Sequence, residues 1–370
     1  MKNCLLAFLL VVAVGSYAQT DTLSLFVAGT NGYKSYRIPA LVTTPKGTLL
    51  AFCEGRKHGA GDAGDIDILL KRSTDGGRTW SAQQVIWDDG ANTCGNPCPV
   101  VDESTGQVFL VMTHNLGTDK ESDIIKQTAQ GTRTVWVSAS NDDGISWSAP
   151  NNITATTKNP KWGWYATGPG IGIQIKHGPH KGRLVIPCDF SDSDSADLHA
   201  SYGSHVIYSD DHGQSWKLGG TITPRQNECQ VVEVADGNGT LLMNMRSYFG
   251  RKCRTQATSY DGGITWTAPV DVPELMEPVC QASILRYAWP GKKKKSTMLF
   301  LNPASGKRIN MSIRASYDEG KTWPVIRTLW KGPAAYSCMT VLPNGNIGCF
   351  YEAGEKGSYE RMIFQVVKPF

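Results

Sequence analysis

Beyond its first twenty residues this 370-residue chain holds no apolar run of the ~20 residues a membrane-spanning helix needs, so a bilayer span is excluded. It has no heptads, no long amphipathic helical pattern, no low-complexity linker and no change of composition along its length, which argues against a string of modules. The ten cysteines lack the regular spacing of a disulfide framework. The seven histidines lack metal-ligand spacing, and the pair in HGPH, His177 and His180, flanks a Gly-Pro turn that reads as a loop rather than a zinc site. No glycine-rich phosphate motif follows a strand and opens a helix, so neither nucleotide nor other cofactor use is implied. Net charge is only +4, too small to announce nucleic acid, and the run Lys292 to Lys295 reads as a solvated hairpin loop.

The beginning of the chain reads MKNCLLAFLLVVAVGSYAQT, a lysine followed by an apolar stretch from Leu5 to Val14 and then small residues. This is the pattern of a secretory leader over residues 1–18, cut after Ala18, leaving residues 19–370 as one domain in an exported, periplasmic or extracellular protein. Its removal takes Lys2 and lowers the formal charge from +4 to +3. It also takes Cys4, leaving nine cysteines, an odd number whose pairing the sequence leaves open.

The chain also contains one device five times. STDGGRTW (73–80), SNDDGISW (140–147), SDDHGQSW (209–216), SYDGGITW (259–266) and SYDEGKTW (316–323) all follow Ser-x-Asp-x-Gly-x-Ser/Thr-Trp. Asp can bond backbone two residues on and Gly tolerates positive φ, so each copy predicts a tight hairpin tip, with the Trp anchoring the outgoing strand in apolar surroundings. The copies start 67, 69, 50 and 57 residues apart. With the recurring short apolar runs TLLAFCEG, QVFLVMTH, RLVIPCDF, TLLMNMRS, TMLFLNP and NIGCFYEA, this fits four-stranded propeller blades with insertions, in preference to a sandwich or solenoid.

Polar residues at the ends of these runs carry the chemistry. YRIPAL places Arg37 before an Ile-Pro pair near the start of the mature chain. Here the sequence resembles the exo-α-sialidases (neuraminidases), marked by an Arg-Ile-Pro motif followed by several Asp boxes, over essentially all of residues 22–370. The resemblance implies an all-β fold, a six-bladed β-propeller, acting as a monomer without metal or organic cofactor on sialylated glycans. Sialic acid bears a carboxylate on its anomeric carbon, which guanidinium forks suit better than lysine. The family's arginine triad maps to Arg37, Arg246 and Arg308, with Arg314 a competitor for the third place and Glu352 orienting the first.

The resemblance further implies Tyr336 as nucleophile, Glu228 as its base and Asp62 in KHGAGDAGD as acid/base, with Asp65 the runner-up; Asp67 alternates with apolar residues in IDILLKRS and reads as structural. Tyr nucleophiles are a recognised exception to the two-carboxylate pattern of glycosidases. Arg56, supported by Glu54, matches an arginine near the acid/base loop. Asn96, Gln281 and Phe190 match places that meet the glycerol and N-acyl groups, and WGWYATGPGIG forms a further wall. Hydrolysis with retention is the first expectation. A trans-sialidase, or a propeller that binds without catalysis, are the alternatives.

Overall fold

The computed structural model describes residues 22–192, 197–292 and 294–370, so the leader expected over 1–18, together with Lys293 of the lysine run, lies outside the described residues. The described residues are all-β apart from two short helices, Glu121–Ile125 and Thr154–Thr157. Antiparallel pairing divides it into six four-stranded meanders. The first runs through Ser35–Thr43, Leu49–Arg56, Ile66–Ser73 and Gln84–Trp87, and the second through Thr93–Val101, Val108–Asn115, Thr134–Ser140 and Asn151–Asn152. The third uses Trp162–Thr167, Leu184–Asp192, Tyr202–Ser209 and Lys217–Ile222, with Ile173–Gln174 continuing its first strand. The fourth is Gln226–Glu233, Leu241–Ser247, Cys253–Ser259 and Val270–Met276.

The last two meanders share one strand. Val325–Val341 pairs first with Ile309–Ser316, closing the fifth meander begun by Ser283–Ala288 and Thr297–Pro303, and beyond Pro333 it opens the sixth by pairing with Ile347–Ala353. Arg361–Val367 follows, and its outer partner is Thr22–Val27 from the other end of the chain. First strands such as Ser35–Thr43, Thr93–Val101 and Gln226–Glu233 are buried along almost their whole length, whereas fourth strands such as Val270–Met276 are half exposed. Ser35–Thr43 touches both Thr93–Val101 and Val325–Val341, and contacts pass from each meander to the next until they return to the first. The inner strands therefore form a closed ring.

Each eight-residue repeat joins the third strand of a meander to its fourth, and the sixth meander has none because its fourth strand arrives from residues 22–27. In SYDGGITW, Ser259 Oγ donates to Asp261 Oδ1 at 2.8 Å, Ile264 N and Thr265 N donate to the same oxygen at 3.1 and 2.9 Å, and Thr265 Oγ1 donates to Oδ2 at 2.6 Å. Matching bonds surround Asp75, Asp142, Asp211 and Asp318. All five carboxyls are held below their ordinary value. At Asp75 and Asp142 the hydroxyl bond from Thr79 or Ser146 is the largest cause; at the other three, desolvation pushes upward and the bonds outweigh it.

The conserved geometry also staples neighbouring meanders. The repeat glycines Gly77, Gly144, Gly213, Gly263 and Gly320 all have positive φ. A Cβ on Gly213 would lie 2.2 Å from Phe109, and one on Gly77 2.2 Å from Phe364, each an aromatic of the preceding meander. The repeat tryptophans pack on the same surfaces: Trp80 on Phe364, Trp147 on Phe52 and Trp216 on Phe109, with ring centroids 5.0, 5.6 and 6.0 Å apart. The anchor expected for the outgoing strand is thus a bridge to the sheet before it. The nine described cysteines are buried and unpaired, packing as small apolar groups.

Two outcomes follow from this stapling. Gly213→Ala, which adds a clash to a positive φ, is expected to lower stability by about 2–4 kcal/mol in urea denaturation, against about 1–2 for Gly237→Ala, where φ is positive but no atom lies within 4 Å. Because the repeat carboxyls are depressed in the folded state, their contribution is fully present above the ordinary value of 3.8 and is lost as pH falls through the folded values, about 2 for Asp142. Melting temperature between pH 5 and 2, as ~1-unit steps, should fall less steeply in Asp142→Asn than in wild type.

Candidate active site

The first strands reach the site through a common irregularity. Between Arg37 and Ala40 the chain advances three residues while its partner advances two, from Glu54 to Phe52. The same one-residue excess falls between Gly95 and Cys98, Trp162 and Tyr165, Gln226 and Cys229, and Ala334 and Ser337. These are β-bulges, which re-aim side chains out of strand alternation. From within them Ile38, Asn96, Trp164, Asn227, Glu228 and Tyr336 line one cavity of about 210 Å³. Ile38 has φ +62 and Asn96 +52. For a β-branched residue such as Ile38 that conformation costs on the order of 1–3 kcal/mol, held here by its N–H donating to Glu352 Oε1 at 2.9 Å.

Second-strand ends and loops supply the rest: Glu54 and Arg56, Asp62, Arg246 and Tyr248, Arg308, and Tyr359. Tyr336 Oη donates to Glu228 Oε1 at 2.5 Å, and Arg246 Nη1 bridges the pair, 2.6 Å from Glu228 Oε2 and 3.2 Å from Tyr336 Oη. Burial and then the Glu228 charge push the Tyr336 phenol well above its usual range, with Arg246 and Arg37 pulling back. The resting phenol is therefore neutral, its proton directed at Glu228.

Glu352, fully buried, accepts Arg37 Nε at 2.7 Å and Tyr336 N at 3.1 Å, so a single carboxylate orients both. It takes only the Nε edge of Arg37 and leaves the terminal nitrogens for a ligand. The guanidinium lies 4.0 Å over the Tyr359 ring and 4.9 Å from that of Tyr336. Arg308 donates to Tyr359 Oη at 2.6 Å and to Val279 O at 3.3 Å; among the described residues no carboxylate pairs with it. A largely buried cation without a counter-ion makes this end of the cavity a receptor for an anion.

Opposite, Arg56 is held by Glu54 at 2.6 and 2.8 Å and pairs with Asp62 at 2.8 Å. The Asp62 side chain is 58 % exposed, at the mouth. Desolvation pushes its carboxyl up, but Arg56, Arg37 and Arg133 together outweigh it, leaving it below the ordinary range. Asp65 and Asp67 instead pair with Lys57 outside the cavity.

The structure thus brings Arg37, Arg56, Asp62, Asn96, Glu228, Arg246, Arg308 and Tyr336 to one cavity, with Glu352 directly behind. Gln281 is placed elsewhere. It is buried below the cavity, where Nε2 donates to Pro169 O and Ser337 O at 3.0 and 2.9 Å and Oε1 accepts Ser337 N at 2.9 Å, serving backbone groups beside the bulge at Tyr336. Phe190 likewise stacks under Trp162 at 3.7 Å instead of lining the cavity, and Arg314 sits on the third strand of the fifth meander. From the WGWYATGPGIG wall only Trp164 and Ala166 face the site.

Sequence reasoning missed Glu121, Arg133, Asp189, Asn227, Tyr248 and Tyr359. Arg133 stacks 4.0 Å beneath Trp164 and donates to Asn96 Oδ1 at 2.5 Å. Its signal was available: like Arg308, it is an arginine opening the third strand of a meander. Asp189, buried and bonded to Asn227 Nδ2, is pushed well above the carboxylate range by desolvation and then by Glu228 and Glu121. Among the described residues no group of three or more His, Cys, Asp or Glu could hold a metal, and no helix is long and apolar enough to cross a membrane.

Comparison with known proteins places the chain. A family model for a BNR repeat-like domain matches residues 47–349. The chain is 36 % identical over 358 residues to a sialidase of Micromonospora viridifaciens, covering 91 % of this chain and 52 % of that protein. It is 34 % identical to a sialidase of Bacteroides fragilis, covering 92 % and 63 %, so it spans little more than half the length of these two relatives. An exo-alpha-sialidase of Aspergillus fumigatus is 30 % identical over 94 % of this chain and 86 % of its own. The chain belongs to the sialidase family. The Hadza microbial sialidase Hz136 matches with a TM-score of 0.82 at 32 % identity, over 94 % of this chain and 68 % of that one. An intramolecular trans-sialidase from Ruminococcus gnavus shares the fold, with a TM-score of 0.74 at 20 % identity over 93 % and 96 %.

Removing the shared orienting carboxylate should be costly. Glu352→Gln strands Arg37 without its buried counter-ion and is expected to destabilise the fold by about 3 kcal/mol in urea titration. Lys71→Gln, where a half-buried cation meets a backbone carbonyl and the face of the Phe26 ring and no carboxylate among the described residues, should cost about 1 kcal/mol.

Proposed function

We propose that this protein is a retaining exo-α-sialidase that removes terminal α-linked sialic acid from glycans, on a six-bladed β-propeller whose first five blades carry Asp boxes. The observation that carries the reading is the 2.5 Å bond from Tyr336 to Glu228 beside three arginines, one of which has no carboxylate partner among the described residues. The ligand's carboxylate sits among Arg37, Arg246 and Arg308. A carboxylate nucleophile approaching the adjacent carbon would be repelled by about 4 kcal/mol at ~4 Å and an effective dielectric of about 20, a cost that a phenol avoids.

Tyr336 Oη attacks the anomeric carbon while Glu228 takes its proton. The glycosidic C–O bond breaks with its electrons going to oxygen, and Asp62 delivers a proton there. Water then gives its proton to Asp62 and attacks the same carbon, and the tyrosyl oxygen leaves, recovering its proton from Glu228. Asp62 is held ionised by arginines in the free protein; the ligand's negative charge offsets those cations and raises its proton affinity. The leader-like N-terminus supports action outside the cytoplasm, and the family likeness implies a monomer without cofactor.

Proton NMR of α-sialoside turnover tests this, with the α-anomer of free sialic acid as the expected first product. Tyr336→Phe should lose at least ~1,000-fold in kcat and Asp62→Ala about 100- to 10,000-fold on alkyl sialosides. An initial β-anomer overturns the tyrosyl route, a bicyclic anhydro product makes the enzyme an intramolecular trans-sialidase, and absence of turnover makes the protein a binder.

A further inference from the structure

The loop that carries Asp62, residues 57–65, is KHGAGDAGD, and its composition gives it almost nothing to hold itself in place. Gly59, Gly61 and Gly64 have open space where a Cβ would be, so the loop does not pack through them. A misplacement of about 1 Å in a catalytic group can cost on the order of 100-fold in rate. Contacts at its two ends and with neighbouring strands must therefore fix it.

Two sets of contacts do so. On the cavity side Arg56 Nη1 donates to Ala60 O at 2.5 Å and Gly61 O at 3.0 Å, and Thr93 Oγ1 exchanges bonds with Gly64 N and O at 3.0 and 2.8 Å. On the outer side a single ammonium closes the loop. Lys57 opens it, and its Nζ lies 2.8 Å from Asp65 at the other end, 3.2 Å from Asp67 on the following strand and 3.6 Å from Asp88 in the turn beyond Gln84–Trp87. The Lys57 N–H also donates to Asp65 O at 3.1 Å, and Tyr33 Oη donates to Asp67 Oδ2 at 2.6 Å, fixing the buried carboxylate on which the lysine rests. Without the cation, Asp65, Asp67 and Asp88 would face one another with no positive charge between them.

We infer that Lys57 is a positioning residue for the acid/base step: its ammonium gathers three carboxylates, locks both ends of the 57–65 loop to the first meander, and so holds Asp62 at the cavity mouth. The role rests on the assignment of Asp62 proposed above, and it makes a claim about the loop that can be measured apart from that assignment. A locked loop matters when the departing oxygen needs a proton and matters little when it does not. An alkyl alcohol needs one; 4-nitrophenolate does not.

The experiment compares wild type, Lys57→Met, Lys57→Arg and Asp62→Ala on sialyllactose and on 4-nitrophenyl α-sialoside, with hydrogen exchange over residues 57–65. Lys57→Met is expected to lose about 10-fold in kcat/KM on sialyllactose and less than ~3-fold on the aryl substrate, within the range of an acid/base contribution. Exchange in the loop should rise ~10-fold, and Lys57→Arg should restore both. Asp65→Asn, which removes the nearest partner, should shift both readouts the same way and serves if Lys57→Met does not fold. Equal losses on the two substrates, or unchanged exchange in the loop, overturn the inference. If Asp62→Ala itself shows no preference between substrates, the acid/base reading of Asp62 has failed, and loop exchange alone then decides the role of Lys57.

Discussion

A strand buried on both faces can offer a polar site almost nothing, because its side chains alternate between two apolar surfaces. The inner strands of this ring escape that limit by one extra residue each. In five of the six meanders the insertion falls at the same level of the ring, and there alternation breaks and a side chain turns toward the axis. Tyr336, Glu228 and Asn96 owe their direction to it. So does the backbone near Arg37, where Ile38 adopts a conformation that a β-branched residue resists. The bulges withdraw backbone groups from the ladder, and Glu352 and Gln281 take them up: Glu352 accepts the N–H groups of Ile38 and Tyr336, and Gln281 that of Ser337.

Charge placement follows the same economy. Buried ion pairs seldom add net stability, since desolvation offsets their attraction, but they fix geometry strongly because losing one partner is so unfavourable. Arg37 with Glu352 and Arg246 with Glu228 are such pairs, and each carboxylate also touches Tyr336. The phenol, two arginines and two glutamates are thus one bonded unit. Arg308 stands apart, bonded to neutral oxygens, and its unmatched charge distinguishes an anion receptor from a self-satisfied core.

Much of this was legible in the chain because local rules and global arrangement agree. The eight-residue repeats announce their hairpins through Asp, Gly and Trp at fixed places, and the structure puts all five between third and fourth strands. What they also do, bridging to the preceding sheet, is not written in the repeat, because Phe109 and Phe364 lie in segments with no motif of their own. Asp67 was set aside by its alternation with apolar residues in IDILLKRS, but Asp62 was separable from Asp65 only through family likeness; the structure separates them physically, giving Asp62 to Arg56 and the other two to Lys57. Gln281 was misread because a glutamine serving backbone near a site looks, in sequence, like one serving a ligand. Asn227 and Tyr359 were missed because each stands in an ordinary strand or loop and acquires its position only when separate meanders meet.

The outermost strand of the sixth meander, Thr22–Val27, belongs by sequence to the opposite terminus. During synthesis the growing polypeptide is accordingly an unfinished arc, with an early strand waiting for a companion some 340 positions later. The pocket, assembled from Arg37 to Tyr359, cannot acquire its full constellation before that companion emerges. Pairing Thr22–Val27 with Arg361–Val367 ties the pocket to closure of the sheet: a product cut before that strand keeps an open sheet edge, prone to aggregation, beside an incomplete pocket.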